Sequence, residues 1–145
     1  MDKNQRGLKH GELTQRIIGM FYEVYNELGH GFLESVYEEG MAIALAQAGI
    51  RVERQYPLKV LFRGNVVGDF RADLIVERAV ILELKAGSGI DGSHEAQLLN
   101  YLRATEIEVG LLLNFGPKPQ FKRMVFENSR KQIRVHPRES AAGSS

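Results

Sequence analysis

Residues 79–87 read AVILELKAG. Five of the first six positions are apolar, the pattern of a strand buried on both faces. Glu83 and Lys85 interrupt it, two apart and therefore on one side of the strand. Upstream, YPLKVLF (56–62) alternates, RGN (63–65) is turn-like, and VVGDFRADLIVE (66–77) is extended, with Gly68 as a candidate bulge. A short turn at Glu77–Arg78 then gives a three-stranded antiparallel meander ending in the quoted stretch. Downstream, GSGIDG (87–92) is a loop and Ser93 is the expected cap of a helix over 94–104. VGLLLNF (109–115) is a continuous apolar strand, GPKP (116–119) breaks it, and FKRMVFE (121–127) is a fifth strand.

Two helices precede the meander. LTQRIIGMFYEVYNEL (13–28) sets Ile17, Phe21, Val24 and Leu28 at helical spacing. GHG (29–31) is a tight joint, with Gly29 suited to a left-handed stop. The second helix spans 33–48, with Val36, Ala44 and Ala48 among its apolar positions and Gly49 as its end. The order ααβββαββ implies an α/β (α+β) fold: a mixed sheet flanked by helices, because the 109–115 strand needs cover on both faces. The expected organisation is a flexible N-terminus at 1–12, one domain over 13–135, and a disordered tail at 136–145 without apolar periodicity.

Composition narrows the chemistry. A chain of 145 residues favours one hydrophobic core, and 43% hydrophobic with 26% charged residues is a globular balance. The absence of cysteine excludes disulfides, thiolate metal sites and cysteine nucleophiles. No apolar run approaches the roughly 20 residues of a membrane span, and the polar MDKNQRGLKHGE start lacks a signal-peptide core. A soluble, cytoplasmic protein is expected. A net charge of +1 gives no global bias toward nucleic acid.

The charges in the apolar runs need a reason. Antiparallel pairing across a short turn brings Asp73, in DFRADLIVE, close to Glu83 and Lys85. An isolated Glu-x-Lys is ordinarily an ion pair. Burying several charges costs several kcal/mol each, however, and a fold that keeps them usually gains something, often a metal site. Mg²⁺, or Mn²⁺, suits one or two carboxylates plus a substrate phosphate. Asp73 and Glu83 would supply the oxygens. Lys85 would orient or deprotonate water, or stabilise developing charge, in hydrolysis of a phosphodiester. On the third helix, Gln97 and Tyr101 are four apart and share a face, with His94 near it, so they can position Lys85 or a phosphate. Leu98, Leu99 and Leu102 supply that helix's core side. On the second helix, Glu34, Tyr37 and Glu38 form a polar stripe, which by itself reads as a solvated acidic face and beside the other motifs as one whose like-charge repulsion a cation would relieve.

These residues together resemble a known family. GFLESVY (31–37) fits the Gly-x-x-Glu-x-x-Tyr signature of the small GxxExxY proteins, which are assigned to the PD-(D/E)XK nuclease superfamily. The resemblance runs from about residue 10 to 127 and includes NELGHGFLESVYEEGM, RADLIVERAVILELKA, QLLNYL and GLLLNFG. It implies a restriction-endonuclease-like core. It makes Asp73 a metal ligand, Glu83 and Lys85 the Glu-x-Lys pair, and Gln97 and Tyr101 the Gln-x-x-x-Tyr motif of the RecB-type branch. Glu34, with Glu38 as a second candidate, resembles the acidic residue of the first core helix. Ala72 stands where the name-giving proline would be.

The resemblance also implies a nucleic-acid partner, most plausibly DNA. Residues 12–39 hold six glutamates and only Arg16 as a basic residue, whereas 118–138 hold seven Lys or Arg against Glu127. Lys122 and Arg123 in that basic stretch, with Arg71 and Arg103 near the proposed site in sequence, are candidate phosphate contacts. Dimerisation could enlarge the binding surface. The alternatives are a catalytically inactive nuclease-fold module that binds nucleic acid or a protein partner, and an adaptor whose charges form a structural ion-pair cluster.

Overall fold

The computed structural model describes residues 9–131. Helices α1 (Gly11–Leu28) and α2 (Glu34–Gln47) precede strands β1 (Val52–Phe62), β2 (Asn65–Val76) and β3 (Val80–Lys85). Helix α3 (Gly92–Arg103), strands β4 (Val109–Phe115) and β5 (Pro119–Val125), and a short turn at Asn128–Arg130 complete the order. Residues 1–8 of the expected flexible N-terminus, the expected tail at 136–145, and Arg134 and Arg138 of the basic stretch lie outside the described residues. Among the described residues, no helix is long and apolar enough to cross a membrane.

The five strands form one sheet in the order β1-β2-β3-β4-β5. All neighbours are antiparallel except β3 and β4, which run parallel. A parallel pair needs a crossover, and α3 supplies it. Alternation along β3 and β4 feeds two clusters. Val80, Leu82, Leu84, Leu111, Leu113 and Phe115 pack against α1 and α2 through Ile17, Phe21, Tyr37, Met41 and Leu45. Ile81 and Leu112 pack against Leu98, Tyr101 and Leu102 of α3. Every residue of β4 is buried, as its unbroken apolar run requires.

The structure corrects the expected faces and ends of several elements. Helix α1 starts at Gly11, and Leu28 at its end is exposed. In α2, Val36 and Ala48 face solvent and Ala44 is only half-buried, while Tyr37, Met41 and Leu45 point inward. Tyr37 therefore leaves the polar stripe: its ring stacks on Phe115 at 4.3 Å, and its hydroxyl donates to Gly29 O at 2.6 Å. A tyrosine ring buries far more apolar area than an alanine methyl, and its hydroxyl keeps a hydrogen-bond partner, so Tyr37 takes the core side. On α3, Leu99 is only half-buried.

Asp91, not Ser93, caps α3. Its carboxylate accepts the Ser93 and His94 N–H groups, while His94 Nδ1 accepts the Asp91 N–H at 3.3 Å. His94 thus closes a capping box instead of facing the site. The bulge lies beside Gly68: the β1–β2 register shifts between Val60 and Leu61, leaving Val67 as the extra residue.

Candidate active site

Strand β3 pairs with only the last three residues of β2, Leu74, Ile75 and Val76. Just before them the sheet opens. Leu74 pairs with Arg54 and Ala72 with Tyr56, but Asp73 has a partner on neither side. Gln55, across from it, adopts a left-handed φ of 50°. Strand β2 also changes layer here. Ala72 packs in the α3 cluster and Leu74 in the α1/α2 cluster, although residues two apart ordinarily share a face.

Side chains replace the missing ladder bonds. The Leu84 N–H donates to Asp73 Oδ2 at 2.8 Å, and the Asp73 N–H donates to Glu83 Oε2 at 3.1 Å. The two carboxylates therefore bridge the fork reciprocally, each tied by one oxygen to the other strand, which satisfies backbone donors that burial would otherwise orphan. The second oxygen of each has no hydrogen bond among the described residues.

Burial dominates the electrostatics. Glu83 is only 4% exposed. Burial first, and then the Asp73 carboxylate, push its carboxyl up to about 8, with the Asp73 N–H and Lys85 acting in the opposite direction. Burial likewise raises Asp73 above its ordinary value. The Leu84 N–H offsets part of this, while Glu38 and Glu34 add to it. A pair of carboxylates that both resist ionising is a site short of positive charge.

Lys85, next along β3, is half-buried and donates from Nζ to Gln97 Oε1 at 3.4 Å. Tyr101 is buried beside them. Burial, then the Glu83 and Asp73 carboxylates, hold its phenol above the usual range, so it stays a proton donor. The structure thus brings Asp73, Glu83, Lys85, Gln97 and Tyr101 to one place.

It does not bring the α2 carboxylates to the same point. Among the described residues no three acidic or histidine side chains converge to hold an ion. Glu34 acts on Asp73 and Glu83 only through its field, and Glu38 is bound to Gln55 at 2.9 Å and Arg54 at 3.3 Å. Nor do the basic candidates form one patch. Arg71 donates to Gln55 O at 3.1 Å, on the β1 side of the fork. Lys122 pairs with Glu95 at 3.7 Å, while its neighbour Arg123 is half-buried and donates to Lys9 O. Lys131 is buried and holds the Thr105 and Ile107 carbonyls after α3, and Arg130 lies over the Phe126 ring at 4.9 Å. Arg103 covers that same ring at 5.9 Å.

Two positioning residues went unread in the sequence. Asn114 is fully buried in β4, in register with Lys85, and its amide both accepts the Gly87 N–H at 3.0 Å and donates to Gly87 O at 3.1 Å. A Cβ at Gly116 would lie 1.9 Å from Gly87 O. Together they fix the chain that leaves Lys85. The signal was present: one amide in an apolar strand, followed two residues later by glycine.

No curated protein sequence matches the chain. The crystal structure of SSO0001 is similar in fold, with a TM-score of 0.52 at 19% identity, over 94% of this chain and 69% of that one. The alkaline exonuclease LHK-Exo of Laribacter hongkongensis matches at a TM-score of 0.46 and 11% identity, over 70% of this chain and 59% of its own. The sequence profile of the PD-(D/E)XK nuclease superfamily matches residues 11–124, a span that takes in both helical layers, all five strands but the last residue of β5, and the fork at Asp73 and Glu83: the chain belongs to that superfamily.

Proposed function

We propose that the protein is a metal-dependent nuclease that hydrolyses phosphodiester bonds, with DNA as its substrate. The observation that carries this reading is the reciprocal bridge at the β2–β3 fork, which holds a buried carboxylate, Glu83, beside a half-buried one, Asp73, with one oxygen of each uncommitted. Such a donor set fits Mg²⁺ or Mn²⁺, which need only one or two protein carboxylates because waters and a substrate phosphate complete the shell. When bound, the ion would polarise a phosphoryl oxygen and lower the pKa of its water. Asp73 and Glu83 would hold it. Lys85 would orient the attacking water or stabilise charge developing on the phosphoryl group. Gln97 keeps the Lys85 ammonium aimed, and Tyr101 offers a hydroxyl proton from the same helix face. Glu34, whose field already reaches both carboxylates, remains a further candidate ligand. Within the superfamily, GFLESVY and the Gln97–Tyr101 pair support a place among the GxxExxY proteins and the RecB-type branch.

The test is a cleavage panel of single-stranded, duplex and branched DNA with Mg²⁺ or Mn²⁺. Cleavage should disappear with EDTA and fall at least about 100-fold in Lys85→Ala at unchanged melting temperature. Failure to cut any of the three would end the reading for DNA. Gel-shift binding that survives Glu83→Ala, without cleavage by the wild type, would favour an inactive binding module.

A further inference from the structure

A groove of about 650 Å³ runs beside the fork, between the far half of the β1–β2 hairpin and α3. Its size lies within the roughly 300–1,000 Å³ of small-ligand pockets. Val60, Val67 and Phe70 form the hairpin wall, and Asn100 and Arg103 extend the opposite wall from Gln97 and Tyr101. The groove is therefore continuous with the candidate active site through Gln97 and Tyr101. From Gln97 to Arg103 the helix advances about 9 Å, so a cation stands at the far end of a channel with an apolar hairpin wall and a polar helix wall.

The wall is shaped for an aromatic face. Phe70 is 43% exposed, and its ring centroid lies 5.8 Å from that of Tyr101, tilted by 44°. That spacing leaves no room for an inserted ring, so a planar ligand would lie on the open face of Phe70. Gly68 makes the pose available, because a Cβ there would come within 2.6 Å of the Phe70 ring. The adjacent bulge at Val67 bends the hairpin locally, a common device for re-aiming side chains near active sites.

We infer that this groove is a subsite for an unpaired nucleobase next to the scissile phosphate, and hence that the preferred substrate is single-stranded. The inference rests on the nuclease reading of the neighbouring site. A base has an apolar face for Phe70 and polar edges for Asn100, and the backbone phosphate of its nucleotide suits Arg103. A paired base, stacked inside a duplex, cannot reach the groove without first being extruded. Phe70 stacks the base, and Asn100 contacts its edge.

Binding measured without cleavage separates this inference from the nuclease reading. Fluorescence anisotropy of the full chain in EDTA, with labelled oligothymidylate and a duplex of equal length, should show tighter binding to the single strand. Phe70→Ala should weaken single-strand binding roughly 5- to 150-fold, the range of one base–aromatic stack, and leave duplex binding unchanged. Phe70→Tyr should restore it. Gly68→Ala, which displaces the ring, should mimic the loss. Unchanged single-strand affinity in Phe70→Ala overturns the inference, as does equal weakening for both probes. Dispersal of a dimer by Phe70→Ala with intact strand affinity would also overturn it, by making the hairpin a self-association surface. Metal-dependent cleavage that is indifferent to Phe70 sinks the subsite alone, whereas stacking without any cleavage sinks the nuclease reading and leaves the groove as a single-strand binding site with no scissile phosphate beside it.

Discussion

Glu83 keeps its proton far above the ordinary range of a carboxyl because burial and then Asp73 oppose the charge. Between 4.5 and about 8 the folded protein holds a proton that the unfolded chain has released. Stability from this group is therefore complete below the lower value and is lost as pH rises through the upper one. Asp73 is shifted in the same direction and adds to the trend. Urea titrations of metal-free protein should accordingly show stability falling across that window. Glu83→Gln retains an oxygen to accept the Asp73 N–H but cannot ionise, so its profile should be flatter. A slope identical to the wild type would show that Glu83 does not carry the effect. The residues behind this prediction were legible in the sequence because charges inside apolar runs are anomalies that need a reason. Asn114 escaped for the converse reason: a lone amide near a strand end is an ordinary occurrence until its two bonds to Gly87 are seen.

The elements matter through what they aim. Helix α3 carries Gln97 and Tyr101 and begins at Asp91, whose carboxylate accepts two N–H groups of the first turn. Asp91→Ala should cost about 0.5–2 kcal/mol in chemical denaturation, the ordinary value of an N-cap. Cleavage should fall only modestly, since the cap lies more than one and a half turns from Gln97. Gly116 acts more directly. Its Cβ would collide with Gly87 O, so Gly116→Ala must displace the segment after Lys85 or the end of β4. The expectation is a loss of about 1–3 kcal/mol, as for other overpacked sites, with a drop in kcat larger than any change in KM. Wild-type kcat in a folded Gly116→Ala would remove this loop from the catalytic geometry.

The order of elements was legible from periodicity and turn residues, and the sheet follows from it. The core face of α2 was not, because alanines at 44 and 48 mimic an apolar stripe while the anchor is Tyr37, whose hydroxyl reads as polar. The layer switch at Asp73 was not legible: it lies opposite Gln55, whose left-handed backbone on the neighbouring strand carries no sequence signal.

At the scale of the molecule, the fork lies on the seam between two cores. One cluster joins the sheet to α1 and α2, the other joins it to α3, and Asp73 sits where β2 passes between them. Beyond Leu74 and Leu82 no backbone ladder holds β2 to β3, and the two carboxylate bridges take its place. An ion shared by Asp73 and Glu83 would tie the strands at this point, and the unfolded chain offers no such pair. Mn²⁺ should therefore raise the melting temperature, by the equivalent of about 2.7 kcal/mol at a hundredfold excess over its dissociation constant. Lys85→Ala should keep this shift while losing cleavage, because Lys85 contributes no oxygen to the ion. Asp73→Asn and Glu83→Gln should lose both. Differential scanning fluorimetry of the four proteins, with and without Mn²⁺, reads these outcomes directly. Equal metal shifts in all four would place the ion elsewhere and leave the fork a purely structural joint between the two cores.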